Sequence, residues 1–417
     1  MGQVPIRAVR EPRSLKVRRS KMIKLKMIDG TCVGNPNPKP RCGPSLEEID
    51  RLTAIALKAK LLCEGFNADE ESAELFARQN PSKVKRGGLS AGGKMLLKGG
   101  VTVNAPLYRA EKTDLRISHE SGQSATLTQD GQMLWEVTIL PAPDWYGQKV
   151  GPFNITQIVT AHNRQLAAAV YEDCCLFARG DACRFCVMNR SLSEKAPALV
   201  RKSGDLIVEA LRSIPVEQYG GLTLNGGMTT HDARGMELFL PVVSAVHREF
   251  PSLPIAVEIT PPSDLDWIDR LAQAGASGLM MNLECWDPDT RARIIPGKSA
   301  LCPRESYLKA FERGLREIGK GRITTCFVVG TEPFESLKKG IETVTRMGVI
   351  PSPLAGRRFE DIPDYPVTAN VNWRAFLNLL YYAESCMQQN GLLSTEKAGC
   401  VACGMCDLIR DIGNREI

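Results

Sequence analysis

Cys174-Cys175-Leu176-Phe177-Ala178-Arg179-Gly180-Asp181-Ala182-Cys183-Arg184-Phe185-Cys186 follows a strand-like run, Leu166 to Tyr171, and gathers four thiols in one short loop. A Cys-x-x-Cys pair with further thiols one loop away ligates an iron–sulfur cluster or zinc, or else forms a redox pair or disulfide. Two details favour a cluster. No matching His or Cys pair follows at zinc-finger spacing, and none of the four His (His119, His162, His231, His247) is near the thiols in sequence. Cys183 and Cys186 with one of Cys174 or Cys175 make three ligands for a four-iron cube, which leaves one iron open to bind a molecule.

The 417 residues allow one large domain or two to three average ones, and 43% apolar with 24% charged residues is the balance of a soluble globular protein. Half of the fourteen Cys fall in two tight clusters, unlike a disulfide framework, and no signal peptide precedes them. This points to metal-bound thiols in a reducing, cytoplasmic compartment. No apolar run approaches the ~20 residues that span a bilayer, so no membrane partner is expected. Residues 1–26 carry nine Lys or Arg against Glu11 alone, an excess larger than the whole chain's +6. The rest is therefore slightly acidic, which argues against nucleic acid as a partner.

Residues 1–35 read as a basic arm and 36–150 as an accessory region, helical first and then β. Ser45-Leu46-Glu47-Glu48 is a capping box opening a helix whose apolar positions run from Ile49 to Cys63, with Gly65 as its stop. Val101-Thr102-Val103, Ala125-Thr126-Leu127 and Leu134 to Ile139 are strand-like, with Asp130-Gly131 as a hairpin signal. Within 151–360, strands are expected at Leu166–Tyr171, Gly221–Leu224, Ile255–Ile259, Gly278–Leu283, Ile323–Val329 and Val349–Ile350. Helices are expected at Asp205–Ser213, Gly235–Phe250, Asp264–Ala274, Arg304–Ile318 and Pro333–Met347. Such alternation predicts an α/β fold with a parallel sheet, and periodicity alone fits six units or a full eightfold barrel.

Residues 361–417 hold a helical stretch, Trp373 to Gln389, and a Cys-rich tail. Gly399-Cys400-Val401-Ala402-Cys403-Gly404-Met405-Cys406 is three-quarters of the bacterial ferredoxin run, and Arg410 stands where its fourth Cys would be. Three local ligands without a fourth suit a second cluster with an open iron, or a zinc knob completed from elsewhere; Cys386 is a distant candidate for the fourth.

The front loop resembles the cluster loop of the radical S-adenosylmethionine (radical SAM) superfamily, in which an aromatic residue, here Phe185, precedes the last Cys. That superfamily spaces its thiols by three residues and then two. Here the first gap is eight residues from Cys174 or seven from Cys175, and Cys174 is favoured with Cys175 as the alternative. The resemblance continues along the chain. Asn225-Gly226-Gly227 resembles the segment contacting the methionine amino group, although the Glu that often follows is Met228. Asn282-Leu283-Glu284 resembles the ribose-binding segment, and Glu258 ends the strand before it. Val329-Gly330-Thr331-Glu332 resembles the segment under adenine, with its acid one residue early. Pro351 to Gly356 resembles the sixth-strand segment of biotin-synthase-like members.

Residues 90–410 together are similar to the biotin-synthase-like radical SAM proteins encoded beside nitrilases, which share the Ile295-Pro296-Gly297-Lys298 segment and the Gly-Cys-x-x-Cys-Gly-x-Cys tail. The Arg that usually holds the S-adenosylmethionine carboxylate has no counterpart, and Lys298, Arg304 or Lys309 are its candidate substitutes. The resemblance implies a partial (β/α)6 TIM-like barrel, a [4Fe-4S] cluster, S-adenosylmethionine, a small-molecule substrate and a flavodoxin or ferredoxin reductant. It further implies a 5′-deoxyadenosyl radical that abstracts hydrogen, with sulfur insertion from a second iron–sulfur cluster as the leading outcome. Rearrangement, dehydrogenation and aminocarboxypropyl transfer are the enzymatic alternatives, and a zinc-dependent scaffold or nucleic-acid module the non-catalytic one.

Overall fold

A computed structural model of the chain describes residues 45–80, 92–188, 199–357, 366–367, 370–393 and 399–413; the basic arm, Cys32 and Cys42 lie outside them. Ser45 accepts a hydrogen bond from the Glu48 amide at 3.2 Å and opens the helix Leu46–Glu64, as the capping box predicts. Gly65 ends it at φ 66°, where a Cβ would overlap the Tyr108 ring. A six-stranded sheet follows, of β1 (Asn67–Ala68), β2 (Gly93–Leu97), β3 (Val101–Ala105), β4 (Leu115–Ser121), β5 (Ser124–Gln129) and β6 (Gln132–Ile139), in spatial order β1-β4-β5-β6-β2-β3. Asp130 and Gly131 both take positive φ in the β5–β6 turn, the geometry that right-handed strand twist favours. Strands β2 and β4 and the helix Glu70–Arg78 escape the sequence reading. In β4 only Leu115 and Ile117 are apolar, and Ser118 to Ser121 extend the strand with polar residues.

After the small hairpin of β7 (Lys149–Val150) and β8 (Phe153–Asn154), β9 (Thr160–His162) turns back antiparallel to β10 (Gln165–Tyr171). From there every strand is parallel: β11 (Gly221–Gly226), β12 (Ile255–Glu258), β13 (Gly278–Met280), β14 (Ile323–Val329) and β15 (Ile350–Ala355), in the order β15-β14-β13-β12-β11-β10-β9. The expected connecting helices are present at Gly204–Arg212, Met236–Glu249, Asp266–Gln273, Arg304–Glu317 and Phe334–Met347. Gly314 and Gly340 on two of them lie against Ile323 and Phe327, which fixes the face of β14 that meets the helices and leaves Thr324, Cys326 and Val328 on the concave face. The sheet has two free ends, β15 and β9, so it is the partial barrel of six parallel strands rather than a closed eightfold one.

β15 runs to Ala355, well past the expected Val349–Ile350. Pro351 and Pro353 alternate with Ile350, Ser352 and Leu354. Their missing N–H groups therefore face the open edge while the residues between them serve β14. Among the described residues no helix is long and apolar enough to cross a membrane.

The accessory region and the tail meet at the open side of this barrel. Asn104 of β3 donates its amide to Met405 at 2.9 Å, and Arg357, just past β15, donates to the Asn104 carbonyl at 2.9 Å. Lys58, 0% exposed, reaches the Gly404 carbonyl and pairs with Asp411 at 2.6 Å. Ser352 donates to Asp407 at 2.8 Å. Removing one partner of a buried ion pair leaves the other desolvated and uncompensated. Lys58→Met is therefore expected to lower stability by about 3 kcal/mol in urea unfolding; an unchanged midpoint would show that the tail does not depend on this pair.

Candidate metal centre and cofactor site

The front loop leaves β10 and is fastened on three sides. The Cys174 amide bonds the Asp173 carboxylate at 2.7 Å, and the Cys175 amide bonds the Met228 carbonyl at 2.8 Å. Cys175–Ala178 forms one helical turn; further on, the Arg184 amide reaches the Ile294 carbonyl at 2.8 Å and the Gly297 amide the Asp181 carbonyl at 3.0 Å. Two glycines let the neighbouring segments approach. A Cβ on Gly227 would overlap the Asp173 carbonyl oxygen and stand 2.8 Å from the Cys174 Cβ, and one on Gly297 would stand 2.8 Å from Asp181. The Gly226-Gly227 and Pro296-Gly297-Lys298 segments are thus what the loop rests on.

Cys174, Cys183 and Cys186 share one electrostatic neighbourhood. Burial pushes the thiols of Cys183 and Cys186 up, and each is also influenced by Cys174, Lys298 and Glu284. Burial raises Cys175 too, but besides Cys174 its charged neighbours are Arg179 and Asp173. Phe185 packs with Cys183 on Cys285, Ile294 and Ile295. Half-buried thiols of this kind are neutral unless a cation offsets the thiolate charge, and bound iron would supply that offset. Among the described residues no three His, Cys, Asp or Glu side chains converge tightly enough for a single metal ion. A four-iron cube takes its thiolates at separate corners, so it does not need them to converge on one point, and thiolates are the donors it selects.

Beside the loop, the strand ends carry a polar constellation. Asn282 donates to Glu258 at 2.8 Å and accepts from the Cys326 amide at 3.1 Å. Asn225 lies in register with Glu258 on the adjacent strand. Lys298 pairs with Glu284 at 2.9 Å, and Glu284 holds a left-handed φ of 66°, rare for a residue with a side chain. Burial pushes the Glu258 carboxyl up against the opposing hydrogen bond from Asn282. Burial alone would lower Lys298, but the Glu284 carboxylate, with Tyr307 and Cys183 nearby, more than reverses it.

Other expected residues have further protein neighbours. Both Glu332 oxygens are occupied by the amides of Trp286 and Asp287, at 2.6 and 2.9 Å, and by the Ser336 hydroxyl. Gly330, at φ 104°, faces Val371 and Val367. Of the three cations considered in place of the missing Arg, Arg304 stacks 4.5 Å from the centre of the Trp286 ring and Lys309 is exposed, while Lys298 is the one beside the thiols. Cys386 lies by Tyr382 and Glu342.

The tail thiols line the same concave face. Cys400 and Cys406 pack against Met280, Cys326 and Leu354, and Gly399 lies against Ala256. Burial, then Glu258, raises the Cys400 thiol, and burial drives Cys403 to about 12. Cys403 Sγ donates to the His162 carbonyl at 3.4 Å, and Asn104 approaches Cys406 Sγ at 3.7 Å. Sequence reasoning missed Asn104, Cys326, Ser352 and Asp407. The alternation of β14 could have flagged Cys326; the others depend on how the accessory sheet and tail meet.

No protein-family model matches the chain. Among curated proteins it is similar to a bacteriochlorophyllide c C-7(1)-hydroxylase of Chlorobaculum limnaeum, 27% identical over 319 residues that cover 72% of this chain and 76% of the relative. Among solved structures it is similar to a methylornithine synthase, with TM-score 0.42, 14% identity and coverage of 60% of this chain and 71% of that one. It is also similar to a radical SAM methyltransferase from Sphaerobacter thermophilus, with TM-score 0.41, 15% identity and coverage of 68% and 77%.

The cradle makes a direct prediction. Gly227→Ala forces the loop off β11 and is expected to lose the iron bound by the front thiols, while Gly147→Ala, with open space around it, keeps it. Iron per chain after anaerobic reconstitution is the readout, and equal iron in both variants would remove Gly227 from the cradle.

Proposed function

We propose that this chain is a radical SAM enzyme that holds a four-iron cluster on Cys174, Cys183 and Cys186 and abstracts hydrogen from an unactivated carbon of a small substrate on the concave face of its barrel. The observation that supports this most is the shared neighbourhood of these three half-buried thiols with the Lys298–Glu284 pair at the strand ends. When bound, such a cluster together with S-adenosylmethionine supplies a 5′-deoxyadenosyl radical, and the protein's part is to orient and to exclude water.

In this reading Lys298 takes the carboxylate that an Arg takes elsewhere, Asn282 with Glu258 and Glu284 faces the ribose, and Gly226-Gly227 leaves room for the methionine backbone. The main chain at Gly330 serves adenine, while the Glu332 side chain is committed to positioning Trp286 and Asp287. A one-electron donor of the flavodoxin or ferredoxin class, in the cytoplasm, completes the scheme.

We also propose a second iron–sulfur cluster on Cys400, Cys403 and Cys406. Glu258 hydrogen-bonds Asn282 of the cofactor constellation and, after burial, does most to raise Cys400, so a substrate on the concave face would border both thiol sets. That placement favours replacement of C–H by C–S over a remote electron relay. A second reading, replacement of C–H by C–OH, is motivated by the hydroxylase named among the relatives.

Iron and sulfide content with EPR on protein reconstituted without oxygen tests both clusters. About eight irons are expected, falling to about four in Cys400→Ala/Cys403→Ala/Cys406→Ala, with the remaining signal shifting on addition of S-adenosylmethionine. Four in both would end the second cluster and sulfur insertion with it; a colourless, iron-free protein would leave the zinc scaffold. Turnover giving an oxygenated, sulfur-free product would select the second reading. Lys298→Gln is expected to weaken S-adenosylmethionine binding by about tenfold to a hundredfold, the worth of a charge-assisted hydrogen bond, with iron content kept and partial rescue by Lys298→Arg. Unchanged affinity in the EPR titration would move the carboxylate site elsewhere.

A further inference from the structure

The tail motif brings three thiols from one short stretch, and the position of a fourth ferredoxin Cys is Arg410, whose guanidinium turns back to the Ala402 carbonyl. The remaining thiols outside the two motifs can be taken one at a time among the described residues. Cys63 is buried on the first helix, Cys285 contacts the Thr331 hydroxyl at 3.4 Å, and Cys302 points to the Pro261 carbonyl at 3.9 Å. Cys386 sits by Tyr382 and Glu342. Cys326 differs from all of these. It is 3% exposed on the concave face of β14 and packs with Met280 and Leu354, the same residues that Cys400 and Cys406 pack against.

Its lateral position is fixed as well. Cys326 lies in register with Ser352 on β15, and the Ser352 hydroxyl donates at 2.8 Å to Asp407, the residue following Cys406. The tail is therefore docked by its own backbone neighbour onto the strand position next to Cys326. Iron–sulfur clusters select soft thiolate donors. The other oxygen of Asp407, Oδ1, is buried and has no protein partner, which makes this carboxylate the competing donor at the same place.

Resting on the second cluster proposed above, we infer that Cys326 is its fourth ligand. The cluster is then held between a strand of the barrel and the tail, and its binding ties the C-terminal segment to the sheet.

The test uses the full chain carrying Cys174→Ala/Cys183→Ala/Cys186→Ala, so that the tail cluster alone is read. About four irons and an EPR signal indifferent to added imidazole are expected in this background. Adding Cys326→Ala is expected to shift that signal and to open one iron, so that imidazole now shifts it further; Cys326→Ser, the milder change, checks that the effect is not loss of fold. Cys386→Ser is expected to change nothing. A Cys326 variant whose iron content and spectrum match the background would overturn the assignment, as would the same spectral change from Asp407→Asn alone. Loss of turnover in otherwise wild-type protein with an unchanged tail spectrum would place Cys326 at the substrate instead and equally refute ligation. A background that binds no iron would refute the second cluster itself, an outcome separate from all of these.

Discussion

An unclosed barrel has a concave face and two strand edges to cover, and the organisation of this chain follows from that constraint. A closed eightfold barrel fills its interior with its own side chains. Six parallel strands do not, and here the inner positions Asn225, Glu258, Met280, Cys326, Ser352 and Leu354 would open to water if nothing lay over them. The loop from Cys174 to Cys186 packs at the end of the strands, against Met228 and Ile294. The Cys-rich tail, fastened by Lys58, Asn104 and Ser352, covers the rest. The accessory sheet thereby has a structural reason: β3 supplies Asn104, and the helix Leu46–Glu64 supplies the buried ammonium that the tail needs.

Electrostatics decide what such a covered face can hold. Glu258, Glu284 and Asp407 border it, and Lys298 is the cation set among the front thiols. Lys298 is matched by Glu284, so little positive charge is left over for thiolates. Burial consequently wins at the cysteines, raising Cys183, Cys186, Cys400, Cys403 and Cys406. These half-buried thiols therefore stay neutral, and any of them that gave up its proton would need bound iron to offset the thiolate charge.

Much of this was legible before any coordinates. Six parallel strands, the helices between them, the capped first helix and the Asp130-Gly131 turn follow from local pattern, because each is fixed by a short stretch of chain. Local pattern gives β15 only at Val349–Ile350, while the resemblance extends the sixth-strand segment over Pro351 to Gly356; an edge position, a property of the whole sheet, is what makes Pro351 and Pro353 acceptable there. β4 lost its signal where polar residues took the exposed face. At the site, the spacing of the thiols marks a candidate ligand set from a short stretch of chain. What the Glu332 carboxylate does is not local: it accepts from the backbone amides of Asp287 and Trp286, forty-five and forty-six residues away.

The left-handed Glu284 shows how backbone strain and site geometry are joined. Its amide takes the Cys326 carbonyl at 2.9 Å and its own carbonyl accepts from Val328 at 2.8 Å, so the turn after β13 stays hooked to β14 on both sides. A residue with a Cβ in this conformation is held against an intrinsic cost of about 1–3 kcal/mol. Asparagine or glycine would relax it, but neither could reach Lys298 with a carboxylate. Cys326 in turn lies in register with Ser352 and donates its amide to Asn282. The strained residue is thus held by the strand that carries the tail-facing thiol, while its carboxylate holds Lys298 beside the front thiols.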